Sequence, residues 1–213
     1  MRHPLRLIAI SLLASTGMLS ASVFAAPVTL NFQSVPAQIG TTPTTFSENG
    51  FTFDYAIGVG GIYAIGAPQA CSPVCTSNGT NAFYSFNLGS LTLTNTGGAA
   101  FSLLGLDAAT TFTTLNRALE LHITGQLLGG GSVSTVISTA FGAADVFSSY
   151  NLNSFTNLTS VTFTSGTNFD NREFALDNLR VDVASVPEPA TLGLLSIGML
   201  GLLAARKRRA SIR

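Results

Sequence analysis

Two cysteines separated by three residues are the first side chains whose spacing could do chemistry. Cys71 and Cys75 lie in a segment rich in Pro, Ser, Asn and Gly, which is typical of a loop. The pair can close a small disulfide, which would stiffen one loop rather than hold a domain together. A zinc site would need two more ligands, and a thioredoxin-like redox site needs a Cys-x₂-Cys motif. We therefore predict a Cys71–Cys75 disulfide, provided that the chain enters an oxidising compartment.

Acid–base chemistry has few candidates. Outside the extreme N-terminus His122 is the only histidine, and strand alternation places it on one face with Glu120 and Thr124, which we expect to face solvent. No Gly-x-Ser-x-Gly elbow accompanies it, so a secreted hydrolase is the least favoured function. Asp170 and Glu173 are close in the chain, but the neighbouring asparagines indicate a solvated turn rather than a glycosidase pair.

Asp177 stands where an alternating segment changes its phase. The apolar residues before it, Phe174 and Leu176, have even numbers. The apolar residues after it, Leu179 and Val181, have odd numbers. An unbroken strand would place the two sets on opposite faces. A β-bulge at Asp177 and the next residue would let both sets face the core. The alternative is a strand that is buried on both faces.

The segments that must position these residues are short and alternating, with no sustained helical period between them. Turn residues separate the strands predicted at 28–32, 50–55, 82–88, 90–94, 100–106, 118–126, 132–139, 158–164 and 172–183. This pattern predicts an all-β body over residues 26–185, a β-sandwich or jelly roll. The predicted core is Phe32, Phe51, Phe53, Phe101, Leu121, Ile123, Val161, Phe163, Phe174 and Leu179.

The net charge of zero, from 10 Lys+Arg against 10 Asp+Glu, hides a strong segregation. Seven of the ten cations lie at the two ends of the chain, which leaves three arginines and nine acids in residues 26–185, a net charge of −6. Phosphate binding needs clustered Lys and Arg. The body is therefore not expected to bind nucleic acid.

Both ends are expected to be targeting segments. Residues 1–25 begin with two arginines, continue through an apolar run and end on small residues, so we predict a Sec signal peptide cleaved after Ala25. An uncleaved N-terminal anchor is the alternative. Residues 190–205 form an apolar stretch of 16 residues, slightly shorter than most spanning helices. The basic end, 206–213, predicts by the positive-inside rule that this tail stays cytoplasmic while the body lies outside.

The C-terminal segment, residues 186–213, has three parts in a set order. The matching residues are Pro187, Glu188 and Pro189, then the apolar helix, then Arg206, Lys207, Arg208 and Arg209. In this order they resemble the PEP-CTERM sorting signal of Gram-negative bacteria. The resemblance implies recognition by an exosortase, transient anchoring in the inner membrane, cleavage near Pro-Glu-Pro, and release to the cell surface or the extracellular space. It also implies an association with exopolysaccharide and biofilm matrix.

A weaker resemblance concerns the body. Four segments are similar to strands of galactose-binding-like jelly rolls, which include carbohydrate-binding modules. They are Leu30-Asn31-Phe32, Asn49-Gly50-Phe51, Leu158–Phe163 and Phe174–Val181. In some of these modules an Asp at the closing strand helps to hold a structural Ca²⁺. The resemblance thus implies Asp177 as a calcium ligand, helped by oxygens near Asn31. The alternative is that Asp177 hydrogen-bonds backbone amides at the bulge. No other cofactor is expected.

The leading functional hypothesis is therefore a non-enzymatic surface or matrix protein. A carbohydrate-binding module is the alternative. Sugar binding usually needs aromatic platforms, and tryptophan is absent, so the stacking candidates are Tyr55, Tyr63, Tyr84 and Tyr150.

Overall fold

A computed structural model describes most of the body and little of the two ends. The described residues are 26–40, 44–56, 63–66, 75–86, 88–111, 118–140, 146–166, 173–183 and 199. All of the strands belong to one compact unit, Phe24–Ser185. The predicted signal peptide, residues 1–25, and the predicted tail helix, residues 190–205, lie outside the described residues, apart from Met199. Within that described part, no helix is long and apolar enough to cross a membrane.

Thirteen strands make up the described body. They are β1 (Val28–Leu30), β2 (Gln38–Gly40), β3 (Thr45–Glu48), β4 (Phe51–Ala56), β5 (Tyr63–Gly66), β6 (Ala82–Ser85), β7 (Ser90–Asn95), β8 (Phe101–Thr110), β9 (Glu120–Leu127), β10 (Ser132–Ser138), β11 (Ser148–Asn151), β12 (Leu158–Ser165) and β13 (Phe174–Val183). The alternation of apolar and polar residues produces them directly. In β4, for example, the phenylalanines and the tyrosine are buried, whereas the residues between them are not.

The strands form two antiparallel groups. The first sheet has the order β2-β5-β6-β13-β8-β11, with β1 beside the second half of β13. The second sheet has the order β3-β4-β7-β12-β9-β10. A single pair, Leu158 opposite Phe101, links β12 to β8 and joins the groups into one hydrogen-bonded path. The body is therefore a β-sandwich, which confirms the predicted all-β class.

The core lies between the two sheets. All ten predicted core residues are buried and belong to one hydrophobic cluster. An aromatic group occupies one end of it, where the Phe32 and Phe53 rings lie 5.3 Å apart and the Phe46 and Phe53 rings stack at 4.9 Å. Phe83 packs against this group and also meets Tyr55 at 5.5 Å. Aromatic pairs at these separations add to the stabilisation that burial alone provides.

Four strands were not predicted from the sequence, namely β2, β3, β5 and β11. Each is only three or four residues long. Such short segments show too little alternation to be recognised, and their strand geometry depends on the partner strand beside them. Of the four, β2, β3 and β11 each pair with one neighbour among the described residues.

The outward surface of the second sheet is rich in hydroxyl groups. We define the hydroxyl face by residues that are all half-buried: Thr52, Ser90, Thr92, Thr94, Thr124, Ser160, Thr162 and Thr164. Thr92, Thr162 and Thr124 lie side by side on three neighbouring strands. The Thr92 and Thr162 hydroxyls are 3.1 Å apart, so these side chains also hydrogen-bond to one another.

Candidate functional site

The bulge predicted at Asp177 is present. The pairing of β13 with β8 shifts register between Asp177 and Arg180, and Asn178 adopts a φ of 48°. Leu176 and Leu179 are both fully buried in the core cluster, although they have opposite parities. A second irregularity, between Arg180 and the next residue, restores the original register. The bulge therefore turns one residue out of the alternation and lets both apolar sets face the core, as predicted.

Asp177 itself is fully buried on the outward side of the first sheet. Its Oδ2 accepts hydrogen bonds from Asn78 Nδ2 at 2.6 Å and from the Thr80 hydroxyl at 3.1 Å. Its Oδ1 accepts from the Asn178 backbone amide at 2.7 Å. One carboxylate thus ties the loop that precedes β6 to the bulge in β13.

Burial governs the protonation of this region. The loss of solvent is the largest effect on Asp177 and raises its pKa above the usual value, against the opposing effect of its hydrogen-bond donors. Burial and the nearby Asp177 charge raise the pKa of Tyr84 to about 12. The Tyr84 hydroxyl donates to the Thr76 carbonyl at 2.9 Å, which holds the same loop from its other side.

A second carboxylate, Asp107, continues the network. It lies opposite Asp177 across β8 and β13, and its Oδ2 accepts from Asn178 Nδ2 at 2.8 Å. Its Oδ1 accepts from the Ser149 hydroxyl and lies 3.7 Å from the Arg180 guanidinium. Arg180 also donates to the Tyr150 carbonyl at 3.1 Å. The guanidinium crosses directly over Gly105, where a β-carbon would collide with it and with the Tyr150 carbonyl.

Asp177, Asp107 and Asn178 form a hydrogen-bonded network that anchors the adjacent loops. Both carboxylates accept hydrogen bonds from side chains of neighbouring elements, and Asn178 links one to the other. A pair of glycosidase carboxylates would instead project into a cleft around the substrate.

The residues predicted to hold calcium make hydrogen bonds in this arrangement. Asp177 Oδ2 accepts from Asn78 Nδ2 and lies 3.1 Å from the Thr80 hydroxyl, which also lies 2.7 Å from Asn78 Oδ1. Asn31 Oδ1 accepts from the Gln33 amide at 3.2 Å and shares no described hydrogen bond with Asp177. Among the described residues, no group of three or more His, Cys, Asp or Glu side chains could hold a metal. Calcium binding stays an untested prediction, and the contacts favour the alternative of a hydrogen-bonded Asp177.

Two further buried carboxylates were missed by sequence reasoning. Glu173 was expected in a solvated turn but is only 3% exposed. Glu48 is only 4% exposed, and its two oxygens accept from the Phe32 amide at 3.0 Å and from the Ser34 hydroxyl at 3.1 Å. Phe32 adopts a φ of 59°, so Glu48 holds a left-handed turn directly after β1. The sequence signal for its burial was alternation, because Glu48 lies two residues after Phe46 and therefore shares the inward side of β3.

Three of the four predicted stacking tyrosines are packed rather than presented to a ligand. Tyr55 and Tyr84 are buried, and Tyr150 packs against the core at a half-buried position. The side chain of Tyr63 is outside the described set. A sugar platform made of Tyr55 or Tyr84 is therefore wrong, because neither ring is accessible to a ligand.

The remaining candidates are a cysteine and a histidine. Cys75 is buried and disulfide-bonded. Its predicted partner Cys71 lies outside the described residues, so the pairing stays a prediction. His122 lies on the outward side of β9, where its Nε2 is 2.8 Å from Glu120 Oε1. Their side chains are 42% and 33% exposed, which is an ordinary surface pair.

The predicted sorting residues, Pro187 to Pro189 and Arg206 to Arg209, also lie outside the described set. A family profile described as the PEP-CTERM protein-sorting motif matches residues 185–209 and confirms this part of the sequence interpretation. The motif indicates an exported protein that is anchored in a membrane before processing. No curated protein sequence matches the chain.

Several solved structures resemble the body at low similarity. A DUF4465 family protein from Bacteroides ovatus is 6% identical, with a TM-score of 0.42 over 75% of this chain and 99% of that chain. A point mutant of the carbohydrate-binding module CBM29-2 is 12% identical, with a TM-score of 0.40 over 78% and 96%. A family 32 carbohydrate-binding module from C. perfringens NanJ, in complex with galactose, is 10% identical, with a TM-score of 0.37 over 66% and 97%. Similarity this low transfers no ligand and no residue role to this chain.

Proposed function

We propose that the chain is an exported, non-enzymatic surface or matrix protein that an exosortase sorts through its C-terminal tail. The observation that carries the proposal is the sorting motif at residues 185–209. In this proposal a Sec signal peptide, residues 1–25, exports the chain, and the helix at 190–205 holds the precursor in the inner membrane. Cleavage near Pro-Glu-Pro then releases the body, which associates with exopolysaccharide.

The charge distribution supports this route. Removing both ends would remove seven of the ten cations and leave an acidic, lysine-free body. Such a surface repels anionic lipid and nucleic acid, which suits a domain released from the membrane. The packing of Asp177 and Asp107 into hydrogen bonds supports a structural rather than a catalytic role for these acids.

Replacing Pro187, Glu188 and Pro189 together with alanine should stop processing. The basic end and the apolar stretch remain in this variant, so we expect the full-length chain to accumulate in the inner membrane while the cleaved body disappears from the surface. Membrane fractionation and mass spectrometry of the C-terminus measure both effects. Pro36→Ala, at an exposed site in the body, is the matched control and should be processed normally. Normal processing of the triple variant would refute the sorting proposal.

A carbohydrate-binding module is the second candidate, and the hydroxyl face is the observation that favours it. Its neutral side chains both donate and accept hydrogen bonds, as the hydroxyls of a polysaccharide do. Glu120, His122 and Gln126 continue the same outward surface on β9. The face offers no aromatic ring among its defined residues, so binding would rest on many hydrogen bonds along an extended chain.

Thr162→Arg should abolish retention on the organism's own exopolysaccharide if this second function is correct. Thr162 lies between Thr92 and Thr124, so a long cationic side chain would cover the centre of the hydroxyl face. Retention of the exported protein on immobilised polysaccharide measures the effect. Asn153→Arg, in an exposed loop, is the charge-matched control and should be retained like the unmodified protein. Equal retention of both variants would exclude the hydroxyl face as the binding surface.

A further inference from the structure

The outer strand of the second sheet, β10, has an unusual edge. Among the described residues it hydrogen-bonds only to β9. The other strands with one such neighbour, β1, β2, β3 and β11, are three or four residues long, whereas β10 has seven residues. Proteins protect a long edge with charged residues, proline or a bulge. The sequence of β10, Ser-Val-Ser-Thr-Val-Ile-Ser, contains no charge and no proline, and its pairing with β9 has no register shift.

The same sequence is nearly symmetric about its central residue. Antiparallel pairing of β10 with its own copy, centred on Thr135, would place Ser132 opposite Ser138, Val133 opposite Ile137, Ser134 opposite Val136 and Thr135 opposite itself. Residues of the same parity meet in this register, so the inward row, Val133, Thr135 and Ile137, stays on the core side in both copies. A two-fold axis between the two copies, at the level of Thr135, is compatible with every one of these pairs.

The exposure of the β10 side chains is also consistent with an additional strand that would pair with this edge. Val136 is 50% exposed and points outward, next to Ser134 and Ser138, which are also exposed. On the inward side Ile137 is buried, but Val133 and Thr135 are only half-buried at the rim of the core. A second strand at this edge would cover Val133 and place its own Ile137 beside it.

We propose that β10 is a homodimerisation edge, at which two copies of this chain join their second sheets into one continuous antiparallel sheet. The partner is a second copy because the strand is complementary to itself in the antiparallel register. The interface is isologous and therefore closed, so it yields dimers rather than fibres. A self-pairing surface goes beyond the sorting function, and its test does not depend on how the tail is processed.

Two exposed positions allow a charge-swap test. Ser134→Glu with Val136→Glu would place glutamates directly opposite each other at two points of the dimer, and Ser134→Lys with Val136→Lys would do the same with lysines. Neither pair of substitutions reaches the core. Sedimentation velocity of the full chain in mild detergent, over a concentration series, gives the dimer dissociation constant.

We expect the unmodified chain to form dimers and each charged variant to dissociate at least about tenfold more readily. An equimolar mixture of the two variants should restore dimers, because opposite charges then meet across the edge. Asn153→Glu with Ser154→Glu, in an exposed loop, is the charge-matched control and should dimerise normally. A monomeric unmodified chain, growth beyond dimers, or a mixture that stays monomeric would each overturn the proposal.

Discussion

Replacing Asp177 with alanine should lower the free energy of unfolding of the body by about 3 kcal/mol. The substitution leaves Asn78 Nδ2 and the Asn178 amide without the acceptor that the fully buried Asp177 provides, whereas the Thr80 hydroxyl keeps Asn78 Oδ1 at 2.7 Å. Leaving these partly buried donors unsatisfied costs more than the net contribution of a hydrogen bond. Urea unfolding at neutral pH measures the change.

Asp54→Ala is the matched control for this experiment. Asp54 is exposed on β4, where it accepts a hydrogen bond from the Thr45 hydroxyl at 2.6 Å. We expect its loss to change the unfolding free energy by less than about 0.5 kcal/mol. Equal effects of the two substitutions would contradict the anchoring role assigned to Asp177.

The pH dependence gives the same residue a second signature. Burial raises the pKa of Asp177, so the folded state binds the proton more tightly than the unfolded chain. The contribution of Asp177 to the free energy of unfolding therefore falls as pH rises from the usual aspartate pKa to the raised value. Above the raised pKa this contribution no longer changes with pH. Asp177→Asn should remove this component from the pH profile, although it also weakens the anchor.

Replacing Phe83 with alanine should cost about 3–5 kcal/mol. Its ring is fully buried and meets Tyr55 at 5.5 Å, Phe46 at 6.1 Å and Phe174 at 6.2 Å. The cavity would therefore open between β6 and the aromatic group, where several rings cannot all move inward. Thermal unfolding followed by near-UV circular dichroism measures the loss.

Two further variants keep this prediction testable if Phe83→Ala fails to fold. Phe83→Leu removes less volume and should lose a smaller part of the stability. Leu128→Ala, at a position that is 58% exposed, should have little effect. A cost below about 1 kcal/mol for Phe83→Ala would show that the aromatic group is not a main source of stability.

Local pattern was sufficient for much of the fold. Alternation placed Phe51 and Phe53 in the core, and the parity change between Leu176 and Leu179 located the bulge before any partner strand was known. These inferences succeed because side-chain direction in a strand depends only on position along the chain. The sorting motif is likewise a contiguous segment, so it is recognisable without the body.

Other features depend on residues that are distant in the chain. Asp177 receives its donors from Asn78 and Thr80, almost one hundred residues earlier. Tyr55 and Tyr84 were candidates for stacking on sugars because their type allows it, but packing buries both rings. Neither outcome follows from residue type, since each is set by what lies across the sheet.

The sequence alone determined the sorting motif of this protein, the acidic charge of residues 26–185, the β class of the body and its core positions. These properties follow from composition, from short contiguous motifs and from a period of two residues. Only the tertiary structure decided which strands are neighbours, that Asp177 and Asp107 form one network, and that β10 pairs only with β9 among the described residues. The physical reason is that antiparallel pairing and burial join segments far apart in the chain, and no local pattern specifies which segments meet.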